Sequence, residues 1–372
     1  MHSVLARRVL GAYLVALCTL SVACGTSDAQ PGDAARETKT ADTTKPALEP
    51  APKAVELPLS VSATSIESDT VRPRLIEGRT RHDSTTFLST VTFGRRMMKK
   101  WPTPPTPLPG AILPGHRIIA FYGNPLSKRM GVLGEYQVDT MLAKFDTVVR
   151  QWERADPSTP VKPALHLIAV VAQGAPGKDR MYRARMDSAL IEKVYGWAKR
   201  ANAILFLDVQ VGHSTMQREL PRLMPFLARP DVHLAMDPEF AMHYSKEGVV
   251  PGKRVGQFDA KDINWVSEQL RALVTEKKLP PKVLVVHRYT KPMVSNAAEI
   301  VLDPRVQIVM HMDGWGPPWM KFESYRDYIT VEPVEYTGFK LFFHNDVKRK
   351  DALLTPGEVL WLRPRPMYIQ YQ

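Results

Sequence analysis

Cysteine is nearly absent: in 372 residues only Cys18 and Cys24 carry a thiol, both near the N-terminus. A disulfide framework and a cysteine-based zinc site are therefore excluded for everything downstream. Long hydrophobic runs are missing as well. The stretch from Val9 to Ala23 falls short of the roughly 20 residues that span a bilayer comfortably. No Gly-x-Gly-x-x-Gly follows the first apolar run, and no P-loop, Gly-x-Ser-x-Gly or His-Glu-x-x-His occurs. Dinucleotide, nucleotide, serine-hydrolase and zincin readings lose their usual signatures. Long basic runs are lacking too, although the net charge is +12. The excess is dispersed and not interleaved with aromatics, so no nucleic-acid partner is expected. A basic surface instead suits anionic envelope polymers or lipid headgroups.

What is present is globular in composition, with 44% apolar and 24% charged residues. Proline is abundant at 32 residues, and residues 1–115 hold 12 of them. Arg7 and Arg8 precede the apolar stretch, and small residues close it, which is the layout of a secretory signal peptide over 1–23. Ser21-Val22-Ala23-Cys24-Gly25 resembles a bacterial lipobox, although Leu20 stands one position early. That resemblance implies lipidation of Cys24 and a cell-envelope protein held to the membrane by its lipid, on the periplasmic or outer-membrane face. Residues 24–60 are poor in apolar and aromatic side chains and read as a disordered tether. Residues 61–115 form a Pro-rich extended segment that packs on the following domain or leads to it. The Phe87–Phe93 run within it could add a strand.

From residue 116 onward the chain alternates short apolar runs with helix-like segments. The runs are Ile118–Asn124, Leu165–Gln173, Ala203–Gln210, Val232–Glu239, Val283–Arg288, Val306–Asp313, Phe339–Asp346 and Met367–Gln372. Leu142, Phe145, Val149 and Trp152 have the three- and four-residue spacing of an amphipathic helix, as do Ile263, Val266, Leu270 and Leu273. Pro221 and Pro225 should break the helix after the third strand. Thr355-Pro356-Gly357-Glu358 has the form of a capping box that starts a short last helix. Eight strand–helix units over 116–372 predict an α/β fold, a TIM-type (β/α)8 barrel. Its final helix is missing because the last strand ends the chain, and part of 61–115 is expected to cover the gap.

Barrel sites lie at the C-terminal ends of the strands, and strand side chains alternate faces with period two. Counting by twos gathers Tyr122, Asn124, Gln173, Asp208, Gln210, Asp237, Glu239, His287, Asp313, Asp346 and Gln370 at one mouth, with His311 and His344 one layer deeper. A buried ring of such groups is costly unless it is used. In Asp237-Pro238-Glu239, two carboxylates at spacing two can couple, and each raises the other's pKa. Asp208 and Asp313 are candidates to activate water or to offset positive charge. Trp315, in Asp313-Gly314-Trp315-Gly316-Pro317-Pro318-Trp319, offers an aromatic floor for a sugar ring.

The Asp-x-Glu at the end of strand four is similar to that of chitinase-type barrels, which implies Glu239 as the acid and Asp237 as its helper. Upstream, Ala235 and Met236 stand where the family carries further acid. Phe121-Tyr122-Gly123, Leu207-Asp208-Val209-Gln210, Met236-Asp237-Pro238-Glu239-Phe240, Met312-Asp313-Gly314-Trp315 and Tyr368-Ile369-Gln370-Tyr371-Gln372 resemble a group of uncharacterised bacterial lipoproteins with a glycosidase-like barrel. The reading is a glycoside-hydrolase-like envelope lipoprotein acting on a glycan, with no cofactor and no metal required. Two alternatives stand beside it. One is a non-catalytic glycan-binding lipoprotein, and the other is a metal-dependent hydrolase that adds His311 or His344 to the same acids.

Overall fold

Short runs rich in Val, Ile, Leu and Phe give the strands of this protein, whose computed structural model describes residues 101–372 apart from Glu247. The signal peptide, Cys24, the tether and Phe87–Phe93 lie outside the described residues. Eight parallel strands are β1 (Arg117–Gly123), β2 (Val161–Ala172), β3 (Ile204–Val209), β4 (Val232–Met236), β5 (Lys282–His287), β6 (Val306–Met312), β7 (Tyr336–Leu341) and β8 (Tyr368–Tyr371). Each pairs with the next, and β8 pairs with β1. The sheet is thus a closed TIM-type (β/α)8 barrel.

Two apolar cores follow from the period-two alternation. Ile118, Ala120, Ile204, Phe206, Ala235, Val283, Val285 and Val309 fill the lower interior. The alternate residues, such as Phe121, Leu205, Leu234, Val286 and Ile369, face the helices. The main helices are α1 (Val138–Ala155), α2 (Ser188–Arg200) and α3 (Ala260–Lys277). In α1, Phe145, Val149 and Trp152 are buried, and in α3 Ile263, Val266, Leu270 and Leu273 are, as the helical spacing predicts. Helix α2 starts at Asp187, which accepts from the Leu190 amide, and α3 starts in an Asp259–Asp262 capping box. After β3 the chain makes only short turns at Met216–Glu219, Leu220–Arg222 and Met224–Leu227, in keeping with Pro221 and Pro225. The Thr355–Glu358 capping box opens a single turn, Pro356–Val359. Among the described residues no helix is long and apolar enough to cross a membrane.

Helix α1 lies over the β8–β1 seam, where Trp152 Nε1 donates to the Tyr371 hydroxyl at 2.9 Å and Phe145 packs on Phe121. Part of residues 61–115 is expected to cover the gap left by the final helix; of these, 61–100 lie outside the described residues, and 101–115 go to the N-terminal end of the barrel. There Leu113 joins the interior core. Gln307 pins it, accepting from the Ile112 and Leu113 amides and donating to the Leu113 carbonyl.

Two strands depart from the expected frame. In β2, Ile168 pairs with Asp208 but Val170 pairs with Val209, so Ala169 is an extra residue in a β-bulge. The seventh strand runs Tyr336–Leu341 and not Phe339–Asp346. Its end is set by Asp346, whose carboxylate accepts from the Phe342 amide while its own amide returns to the Phe342 carbonyl.

Candidate active site

At the C-terminal mouth, side chains from β1, β3 and β4 are tied into one chain of contacts. The Tyr122 hydroxyl donates to Asp208 Oδ2 at 3.1 Å. Gln210 Nε2 lies 3.4 Å from that hydroxyl and 3.3 Å from Asp237 Oδ2, while its Oε1 accepts from the Ala172 amide. Asp237 Oδ1 accepts from the Glu239 amide at 3.0 Å, which caps the turn Pro238–Phe240. Asp237 therefore both caps a turn and faces the interior with its second oxygen. Asp208 stands opposite Ala235 in the sheet, two residues below Asp237. Glu239 lies two residues above Asp237, half-buried at the rim, near the Tyr289 side chain.

From β5 and β6 come His287 and Asp313, with His287 Nδ1 2.9 Å from Asp313 Oδ2. The other oxygen of Asp313, Oδ1, is buried without a hydrogen-bond partner. From β7 comes Lys340, whose ammonium lies 3.9 Å from the centre of the Tyr122 ring. Phe339 pairs with Met312, so Lys340 and Asp313, the next residues, stand at the same level.

These surroundings separate the carboxylates into two kinds. Burial, with the charges of Asp208 and Asp313 nearby, pushes the Asp237 carboxyl up to about 7. Burial and then Asp237 and Asp313 push Glu239 up to about 8. Asp208 goes the other way, to about 2: burial opposes its charge, but His287, His166 and Lys340 together outweigh that cost. For His287, burial favours the neutral ring, yet Asp208 and Asp313 raise its pKa on balance. Lys340 is lowered by burial, against the pull of Asp313, Asp237, Asp208 and Glu239. A protonated acid at the rim and ionised carboxylates behind it can move protons in both directions.

Beneath lies a layer of rings. His166 Nδ1 pairs with the Tyr368 hydroxyl at 2.5 Å, and Gln370 Nε2 reaches both at 3.1 and 3.0 Å. His311 is fully buried, as expected of the deeper layer, and burial drives its pKa well down. His166, Asp208 and His287 bring three ligand-type atoms within 4.8 Å of one another, a group among the described residues that could hold a metal ion.

Tyr122, Asp208, Gln210, Asp237, Glu239, His287 and Asp313 are thus brought together, and Gln370 lies in the floor below them. Others are not. Asn124 is buried, but it donates to the Ile168 carbonyl and accepts from Leu126, so it ties a loop down. Gln173 is half-buried above the bulge, its amide on the Val171 carbonyl. Asp346 accepts from Lys321 Nζ at 2.7 Å and from the Gly316 amide, so it fastens the loop that carries Trp315. Trp315 itself is 38% exposed, with Lys348 beside its ring. His344 is exposed and pairs with Glu135, because the strand stops before it. It does not lie in the deeper layer.

His166, Tyr289, Lys340 and Tyr368 are the residues that sequence reasoning missed. Counting back by twos from Gln173 crosses the bulge and lands on Leu165 and Leu167, which face the helices. His166 is inward only because the frame shifts at Ala169. Lys340 has the same parity as Asp346 but sits inside an apolar run, and attention to strand ends passes over it. A cavity of about 380 Å3, lined by Asp156, Trp361, Arg363 and Arg365 among others, lies away from these residues, next to the Arg117–Asp156 pair at the start of β1. No protein-family model matches the chain, and no curated protein matches it.

Proposed function

We propose that this protein is an acid/base hydrolase of cell-envelope glycans, carried to the envelope by the signal peptide and lipid-anchored at Cys24. The observation that carries the reading is the pair Asp237–Glu239, whose carboxyls are pushed up to about 7 and about 8 at the rim of a ring that also holds ionised Asp208. As pH rises Asp237 ionises first, and its charge helps Glu239 keep a proton through neutrality. Glu239 then gives that proton to the glycosidic oxygen while the bond to the anomeric carbon breaks. Asp313, oriented by His287 and with Oδ1 unpartnered, takes a proton from the water that attacks the same carbon and offsets its positive charge. Glu239 is reprotonated from solvent at the rim. Lys340 and Tyr122 would hold sugar hydroxyls, and the half-exposed Trp315 ring offers a stacking face.

The experiment is turnover of envelope oligosaccharides by wild type, Glu239→Gln and Asp313→Asn, with binding followed separately by calorimetry. Loss of turnover with intact binding supports the reading. Binding without turnover in the wild type makes the protein a glycan-binding module, and Glu239→Gln at wild-type rate removes the acid from the scheme. Metabolic labelling with a palmitate analogue, abolished by Cys24→Ser, tests the anchor.

A further inference from the structure

Below Glu239, and not used by it, three fully buried side chains point at one spot. His166 Nε2 lies 3.8 Å and His287 Nε2 3.7 Å from the same oxygen, Asp208 Oδ2. All three atoms are within 4.8 Å of one another. These separations exceed a hydrogen bond, and both imidazole nitrogens are buried without a hydrogen-bond partner. A buried polar atom left unpaired costs about 1–3 kcal/mol, and here two face one carboxylate across a shared space. We propose that His166, Asp208 and His287 form a binding site for a divalent transition-metal ion.

The spacing fits. A four-coordinate ion with bonds of about 2.0–2.2 Å holds its ligand atoms roughly 3.3–3.6 Å apart, so small rotations of the three side chains close the set. The far side of each ring is already held. Asp313 Oδ2 is 2.9 Å from His287 Nδ1 and fixes a proton there, which leaves Nε2 with its lone pair toward Asp208. His166 Nδ1 is held by Tyr368 and Gln370, and the Gln370 Oε1 atom is buried with no partner. Exchanging the oxygen and nitrogen of that amide gives His166 Nδ1–H an acceptor and likewise frees Nε2. Two imidazoles and one carboxylate with open positions suit zinc, iron(II) or cobalt(II); calcium and magnesium prefer oxygen ligands. Lys340 is the competing cation nearby. The proposal stands apart from glycan hydrolysis, since binding is read without substrate.

The test is titration of the chelator-treated full chain with Co2+ alone, followed by visible absorption and by metal content. One equivalent with the spectrum of a low-coordinate cobalt site, displaced by Zn2+, is expected. His166→Gln and Asp208→Asn should each weaken uptake by about 100-fold or more, and Asp313→Asn by about 10–100-fold. Glu239→Gln should leave the cobalt spectrum unchanged. Uptake of less than one equivalent by the folded wild type, or equal uptake in a folded His166→Gln, overturns the proposal. Should both ligand variants fail to fold, unchanged affinity in Asp313→Asn overturns it equally. Cobalt binding without hydrolysis leaves the metal site standing while the glycosidase reading falls, and hydrolysis without cobalt binding does the reverse.

Discussion

The Nδ1 atom of His311 lies 2.5 Å from the point where a Cβ on Gly338 would stand. Gly338 faces His311 across the β6–β7 pairing, so a missing side chain on one strand makes room for a ring on the next. Gly338→Ala should displace that ring and cost about 1–3 kcal/mol by overpacking. A urea denaturation curve measures the loss, and an unchanged midpoint would mean that the ring yields freely.

The carboxyls of Glu239 and Asp237 are harder to ionise in the folded chain than in the unfolded one, where such groups titrate at about 4. Their contribution to stability is full below pH 4 and is lost as pH rises through about 7 and about 8. Glu239→Gln should therefore melt at a higher temperature than wild type at pH 9 and at the same temperature near pH 4. Asp208 behaves oppositely: its folded value of about 2 makes its contribution present above pH 4 and lost as pH falls toward 2. Asp208→Asn should melt lower at pH 7, with the difference gone at pH 2. Melting curves across pH check both signs.

If Glu239 is the acid, its substitution by Gln should lower kcat by about 10²–10⁴-fold. The wild-type rate should decline as pH rises past about 8, where Glu239 loses its proton. A pH–rate profile with no alkaline fall near that value would count against it.

Glu219 is fully buried, and Arg183, Arg185 and Ser214 converge on its carboxylate at 2.5–2.8 Å. This clamp holds the short strand Arg183–Arg185, which edges β2, against the turn after β3. Removing the acid leaves the buried Arg183 side chain with only the exposed Asp179 and takes two bonds from the part-exposed Arg185, so Glu219→Ala should cost about 1–3 kcal/mol. Chemical denaturation measures it, and a cost under 1 kcal/mol would show the clamp to be dispensable.

Leu113 closes the lower end of the barrel interior. Leu113→Ala should cost about 2–5 kcal/mol by the cavity it leaves while preserving turnover at the opposite end. A loss of turnover equal to that of Glu239→Gln would instead couple the two ends.

The barrel was legible because its evidence is periodic. Apolar runs such as Val283–His287 and helices such as Ile263–Leu273 repeat the same signal many times, and one misplaced boundary does not erase it. The acids at strand ends were legible for a related reason, since Asp208, Asp237, Glu239 and Asp313 interrupt apolar runs where a barrel puts its mouth. Asn124 and Asp346 lie outside the cluster because a buried polar residue at a strand end is equally well used to fasten a turn, and only the partners of its atoms tell the two uses apart. Lys340 and His166 were lost to context: each sits among apolar neighbours, and what turns it inward is the pairing of whole strands.

The extra residue at Ala169 has a consequence for how related chains are to be aligned and altered. Below it, Ala164, His166 and Ile168 face the interior; above it, Val171 does, beside Tyr122 and Met186. Inward positions in β2 are therefore even-numbered below Ala169 and odd-numbered above it. Deleting Ala169 would remove the bulge and make the alternation unbroken, with Ile168 still inward, Val170 still outward and Val171 still inward beside Tyr122. A chain with one residue fewer at this point thus keeps the same wall above Tyr122 on a straighter strand, and a position in β2 is to be compared by the face it takes, not by the parity of its number.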